Sequence, residues 1–288
     1  MPNPRADFVP LPDRPALHLP RGARVAVILV MNVEQNEFDQ HVGRPLSPQP
    51  PGRERLPDIP NFSWFEYGLR SGFWRVLNAT RKLNVPMTMA LNGSVCDAYP
   101  QVARAAFDAG WDAVGHGYHQ RPMPAVDDET AEISRALDTI EAFSGTRPLG
   151  WLGPGLGETA DTPERLVDEG VEFVLDWVND DQPYELKVAN GRLFSVPYSL
   201  ELNDIGVYIR LGHPGPSMLE RVHDHLTTLL NDEPETARVM SIGLHPFIVG
   251  QPHRFPYFVK MLELIMNTPG AIPMTATEVY RWYREQAG

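Results

Sequence analysis

The chain has a single cysteine, Cys96, in 288 residues. One thiol makes neither an internal disulfide nor a thiolate metal cluster, so the chain reads as intracellular, and Cys96 as a buried, inert thiol. Long hydrophobic runs are also missing. The longest N-terminal one, Val25 to Met31, is too short for a secretory core with its cleavage site and far too short to span a bilayer. The expectation is a cytoplasmic protein with no membrane partner, which argues against extracellular polymers as substrate. Clustered basic charge is absent: the net charge is -12 and the lysines and arginines are scattered. Phosphate backbones want the opposite, so no nucleic-acid partner is expected. No Gly-x-Gly-x-x-Gly follows the first strand, which leaves a dinucleotide fold unsupported. No Gly-x-Ser-x-Gly elbow offers a serine nucleophile.

What is present is an alternation of apolar β-type runs and helical patterns. Strands are expected at Arg24–Met31, Pro86–Leu91, "DAVGH", "PLGWLGP", "EFVLDW", "VMSIGLHP" and "AIPMT". Helices are expected over Gly68–Leu83, "YPQVARAAFDAG", Asp127–Phe143, "TPERLVDEG", "SMLERVHDHLTTLL", "YFVKMLELIMN" and "TEVYRWYREQ". The Asn-Gly pair in "YELKVANGRLFSVPYS" marks a hairpin. Continuously apolar strands in βα order are strands buried on both faces. About seven such steps predict an α/β fold, a complete or distorted (β/α) barrel forming one domain over 1–288. It would carry a proline-rich N-terminal arm (1–23) and a long irregular segment from Asp39 to Trp64, the length expected of a lid or a subunit contact.

In such a barrel the site forms where strands end. The strand exits give Asn32 and Glu34, then Asn92, His116 and His119, Trp151, the group Asp176, Trp177, Asp180 and Asp181, and finally His245. Each apolar run hands over to ionisable or amide groups at the same end. Histidines that titrate near neutrality beside a carboxylate suit general acid–base hydrolysis. His223 and His225 lie off the apolar face of their helix and read as surface. His18, His41 and His213 sit in proline-rich loops and take no role.

The order of these exits resembles the polysaccharide deacetylase-like (NodB-homology) hydrolases, from about Arg24 to Trp282. That resemblance implies a base and a metal ligand at the places of Asn32 and Glu34, where the family carries two aspartates. It implies a His-x-x-x-His metal pair where this chain has His116 and Gln120, with His119 one residue early. "LDW" and "IGLHP" match two later motifs, the second with the histidine that serves as acid, here His245. The arginine of a third motif has no match, "GWLGPG" standing there. "NFSWFEYGLRSGFWR", "ALNG", "GHGY", "NDDQPY" and "LHPFIVGQPHR" are most similar to the branch of cofactor-independent allantoinases and cyclic imide hydrolases, which open cyclic amides and are commonly oligomeric.

The expectation is therefore a hydrolase of a C–N bond in a small cyclic amide, imide or ureide. Glu34, His116 and His245 would be catalytic, with His116 polarising the carbonyl or holding a metal. Tyr67, Arg70, Asn92, His119, Trp151 and Asp181 would bind substrate, Arg70 through its fork of donors. No cofactor is required on this reading; the alternative is Zn²⁺ or another divalent metal on Glu34, His116 and His119, supporting N-deacetylation of a small acetylated sugar or amide. A further alternative is a non-catalytic ligand-binding barrel. A homo-oligomer is expected, with the 39–64 segment or the aromatics Tyr280, Trp282 and Tyr283 as contacts.

Overall fold

A computed structural model describes residues 3–42, 45–47, 56–233 and 235–287. Its sheet has nine strands: β1 (Val25–Val33), β2 (Thr88–Leu91), β3 (Asp112–Gly115), β4 (Gly150–Trp151), β5 (Phe173–Val174), β6 (Tyr184–Leu186), β7 (Leu193–Ser195), β8 (Arg238–Leu244) and β9 (Ala271–Pro273). Eight of them run in the order β6-β7-β5-β4-β3-β2-β1-β8, and β9 pairs with β1. Only β6 is antiparallel, in the expected hairpin with β7. A single bridge from Asn203 to Gly243 joins the chain leaving β7 to β8. Seven strands thus make a circuit closed by one bridge instead of a ladder, which is the physical content of "distorted barrel".

The first strand explains its own centrality. All nine of its residues are buried. One edge pairs with β8 over Val25–Met31. The other is shared, β9 pairing at Val25–Val27 and β2 at Val30–Val33. A strand without one polar side chain before Asn32 is stable only where both faces and both edges are covered.

Helices flank the sheet: α1 (Ile59–Tyr67), α2 (Phe73–Leu83), α3 (Gly93–Ala98), α4 (Pro100–Asp108), α5 (Glu129–Ser144), α6 (Thr162–Asp168), α7 (Ser217–Asn231), α8 (Pro246–Val249), α9 (Phe255–Asn267) and α10 (Ala276–Ala287). The helix expected at Gly68 instead begins at Ile59. It passes through a π-helical turn, Gly68–Gly72, into α2. The irregular segment expected to reach Trp64 therefore ends at Asp58, whose side chain caps α1 by accepting from Asn61 N. Positions 43–44 and 48–55 of that segment lie outside the described residues. Gly72 is required at the π turn, because a Cβ there would overlap the carbonyl oxygen of Pro246 and meet Gly250 Cα at 3.4 Å.

The pleat sorts side chains between two cores. Val25, Val27, Leu29, Met31 and Val33 pack outward on the helices. Ala26, Ile28 and Val30 face inward, with Ala90, Val114, Leu152, Phe173 and Val239. The inner core is closed at the strands' N-terminal end by α10. Ala276 N donates to Thr88 Oγ1 at 2.8 Å, and Trp282 Nε1 to His18 O at 2.8 Å. Tyr280 and Trp282, expected as subunit contacts, are 2% and 7% exposed because they plug this end of the barrel. The N-terminal arm is tied along the same side by Arg14, which makes a bidentate pair with Asp180 at 2.7 and 2.6 Å. No helix among the described residues is long and apolar enough to cross a membrane.

Candidate active site

Side chains two apart on a strand share a face. That parity carries the inner face of β1 from Val30 to Asn32 and then Glu34, of β2 from Ala90 to Asn92, of β3 from Val114 to His116, and of β8 from Val239 to His245. Five polar groups thus reach one end of the barrel, and all but Asn92 line a cavity of about 610 Å³, together with Gln120 and Asp176, among others.

Glu34 is the centre. Its Oε1 lies 3.5 Å from His116 Nε2 and 3.6 Å from His245 Nε2, and accepts from Gln120 Nε2 at 2.7 Å. All three ionisable side chains are less than a tenth exposed. Burial pushes the Glu34 carboxyl up. The charge on His245 and its hydrogen bond, with the His116 ring beside them, outweigh burial and hold it at about 2.

His245 is fixed from behind by Asp204, which is wholly buried. Asp204 accepts from the His245 backbone N–H at 2.7 Å and from Nδ1 at 2.6 Å. Burial would keep the ring neutral, but the charges of Asp204 and Glu34 and their hydrogen bonds raise it to about 10. His245 is therefore an imidazolium whose Nε2–H faces Glu34 and the cavity.

His116 is held differently. Its Nδ1 meets the carbonyl oxygen of Leu152, which can only accept, so Nδ1 carries the proton. Nε2 is buried, faces Glu34 and has no hydrogen-bond partner among the described residues. In the neutral ring it is a lone pair, which accepts from a water.

Asn92 stands behind the cavity wall. Its amide donates to the carbonyl oxygen of His116 and to Gln120 Oε1 at 3.2 Å, and accepts from Gln35 N at 2.9 Å. It orients Gln120 and thereby Glu34. Asn32 lines the cavity but turns its amide N–H groups to Leu244 O at 3.0 Å and the Tyr198 hydroxyl at 3.3 Å.

The other expected site residues lie elsewhere. His119 points to Gln35 Oε1 at 3.0 Å and towards Glu37, outside the cavity lining. Trp151 is wholly buried on the outward face, since pleat parity gives the inner position to Leu152. Tyr67 accepts from Arg75 at 2.6 Å, and Arg70 is an exposed partner of Glu66 at 3.3 Å. Asp181 sits at the opposite end of the barrel, its carbonyl accepting from Val239 N, near the start of β8.

The site holds residues the sequence reading passed over. Tyr198 and Arg210 line the cavity and Asp204 stands behind His245; all three follow β7, and applying the strand-exit rule to the hairpin's second strand would have pointed to that stretch. Asp176 was an exit residue not carried forward. Its Oδ1 accepts from Gly153 N at 2.7 Å, while Oδ2 is buried without a partner among the described residues. Burial, then the charge of Glu158, raise its carboxyl well above the usual range.

A family metal would need ligands that this arrangement does not supply. Among the described residues no group of three His, Cys, Asp or Glu side chains is placed to hold a metal ion. His119 faces away, an amide N–H of Gln120 already occupies Glu34, and His245 is protonated on the nitrogen that faces the cavity. The donor set does not fit a tightly held divalent ion.

The polysaccharide deacetylase family matches residues 59–174. A putative polysaccharide deacetylase of Schizosaccharomyces pombe is 29% identical over 90% of this chain and 90% of its own length. Among solved structures, the PuuE allantoinase superposes with a TM-score of 0.84 at 25% identity, covering 94% of each chain. A probable polysaccharide deacetylase of Pseudomonas aeruginosa PAO1 gives 0.85 at 22% identity over 95% of each chain, a likeness of fold. These matches lead to one conclusion: residues 59–174 match the polysaccharide deacetylase family, and the chain is similar over nine-tenths of its length to a putative polysaccharide deacetylase.

Proposed function

We propose that, within the hydrolases of this family, the protein opens a C–N bond of a small cyclic amide, imide or ureide without a metal. The observation that supports it is the pairing around Glu34: one ionised carboxylate oxygen set between an imidazole lone pair and an imidazolium, at the buried end of a cavity. Similarity to an allantoinase over the whole chain supports the same reading.

The chemistry follows from the proton positions. A water that donates one hydrogen to Glu34 Oε1 and the other to His116 Nε2 presents its oxygen lone pair to a carbonyl carbon. As the C–O bond forms, Glu34 takes the water's proton. As the C–N bond breaks, His245 Nε2 gives its proton to the departing nitrogen. Glu34 and the now neutral His245 are 3.6 Å apart, and a proton passed between them restores the starting state. The net change is addition of one water across one C–N bond. The mutual attraction of Glu34 and His245 is what drives their acidities apart; a substrate that enters between them weakens it and brings both towards the values that acid–base catalysis wants.

The test is turnover of allantoin, hydantoin and succinimide by the purified protein, before and after exhaustive chelation, with Glu34→Gln in parallel. Ring opening that survives chelation and is lost in the variant is expected. Acetate release from N-acetylated sugars that stops on chelation and returns with Zn²⁺ would instead establish the metal-dependent deacetylase.

A further inference from the structure

The cavity is larger and less polar than a small ring requires. Its volume of about 610 Å³ falls in the range of pockets that hold drug-sized ligands. At about 30 Å³ per water it is room for about twenty waters, of which a five- or six-membered ring displaces a minor part. The reacting groups occupy one end. Many of the other lining side chains are apolar, including Phe65, Leu156, Val178, Leu200 and Ile205. Val178 and Leu200 are 38% and 51% exposed, so large apolar side chains are presented to solvent around the mouth. Exposed apolar groups gathered on one concave surface mark a binding site more strongly than the same groups scattered.

One cation shares this outer region. Arg210 ends the π-helical turn Ile205–Arg210, whose preceding residue is Asp204, the anchor of His245. Its side chain is exposed, lines the cavity, and has no ion pair or hydrogen bond among the described residues. The two carboxyl groups in the lining are engaged elsewhere: Glu34 with His116, His245 and Gln120, and Asp176 with Gly153 N. An unpaired guanidinium at the mouth of an apolar cavity offers a planar fork of donors that matches a carboxylate. Among the described lining residues Arg210 is the one guanidinium, which suits a monoanion.

We infer that the substrate carries, beyond the ring that is opened, an apolar segment ending in a carboxylate, and that Arg210 is the binding group for that carboxylate. This rests on the ring-opening reading only for what happens at the buried end; the outer half of the cavity and its cation define the rest of the ligand. Arg210 thus takes the part that the sequence suggested for Arg70.

The probe is hydantoin carrying a four-carbon chain at C5 that ends in a carboxylate. It is compared with the same compound as a terminal carboxamide and with hydantoin itself. Binding to the full-length protein is measured by calorimetry, and ring opening is followed in the same samples. The acid is expected to bind about tenfold tighter than the amide, as one charge-assisted pair allows. The amide is expected to bind tighter than bare hydantoin. Arg210→Gln should remove the acid–amide difference, Arg210→Lys should restore part of it, and added salt should shrink it. Arg210 is exposed, so neither substitution threatens folding, and unchanged melting temperatures check this. Equal binding of acid and amide by the unaltered protein, or a preference that persists in Arg210→Gln, overturns the carboxylate. Bare hydantoin binding as tightly as the amide overturns the apolar segment. Ring opening without acid preference sinks this inference alone; acid preference without ring opening sinks only the proposed reaction.

Discussion

Asp204 makes no contact with the cavity's open space, yet its charge should set the activity's dependence on pH. Replacing it by Asn keeps the shape and one accepting oxygen but removes the negative charge behind His245. Asp204 is fully buried and touches the ring nitrogen at 2.6 Å. Unit charges about 4 Å apart at an effective dielectric of about 20 attract by about 4 kcal/mol. At about 1.4 kcal/mol per unit this equals about three units of acidity. Glu34 remains on the other side of the ring, so the loss is smaller than for an isolated pair. Asp204→Asn should bring His245 from about 10 down by about two units. The variant should then lose the acid form across the mildly alkaline range. At pH 9 the protonated fraction of His245 should fall from about nine-tenths to about one-tenth, so the rate of ring opening should fall by about tenfold. At pH 6, where His245 is still protonated, the loss should be much smaller. The assay is kcat and kcat/KM for the best cyclic amide from pH 5 to 10, with circular dichroism confirming the fold at each end. A basic limb that stays where the unaltered protein has it, with rates within about twofold at pH 9, would falsify the assignment of His245 as an Asp204-stabilised acid.

The unaltered protein should show a broad profile. Activity needs Glu34 ionised, a condition lost only as pH falls through about 2, and His245 protonated, lost as pH rises through about 10. A flat kcat/KM between pH 5 and 9 is expected; an inflection near 6.5, where an unperturbed histidine titrates, counts against the ion pair. Glu158→Gln should stabilise the fold at pH 8 and leave it nearly unchanged at pH 4. Burial raises the Glu158 carboxyl to about 7, so above its ordinary value near 4.5 the unfolded chain gives up its proton first, and stability is lost from there up to about 7. Thermal melts at the two pH values read the difference, and a variant that melts lower at pH 8 refutes it. Gly243→Ala should destabilise by about 1–3 kcal/mol, as overpacking does. A Cβ there would overlap the Tyr198 hydroxyl and stand 2.6 Å from Asn203 Nδ2, wedging the bridge that closes the barrel. Denaturant unfolding checks this, and an unchanged midpoint shows that the bridge yields freely.

Most of the fold is legible in the sequence, because burial on both faces leaves a plain mark: strands with almost no polar residues, alternating with amphipathic helices. Proximity to strand ends suggested a shared rim for Glu34, His116 and His245, and each also stands at even spacing from the inward residues of its strand. The same periodicity assigns Trp151 to the outward face, where the structure has it. Proximity to a strand end was a looser guide than parity.

The remainder depended on long-range contacts. His119 and Gln120 are neighbours in the chain, but only the second reaches Glu34, because the backbone after β3 turns His119 outward onto Gln35. Asp204 is 41 positions from His245, and no local pattern links them. The sequence by itself determined the layered α/β architecture and the chemical kinds of side chain at the rim, since both follow from local hydrophobic patterning. Only the tertiary structure decided which nitrogen of each histidine faces the cavity and which is occupied. It alone decided which cation stands at the mouth, because those outcomes are set by groups that meet only when the barrel closes.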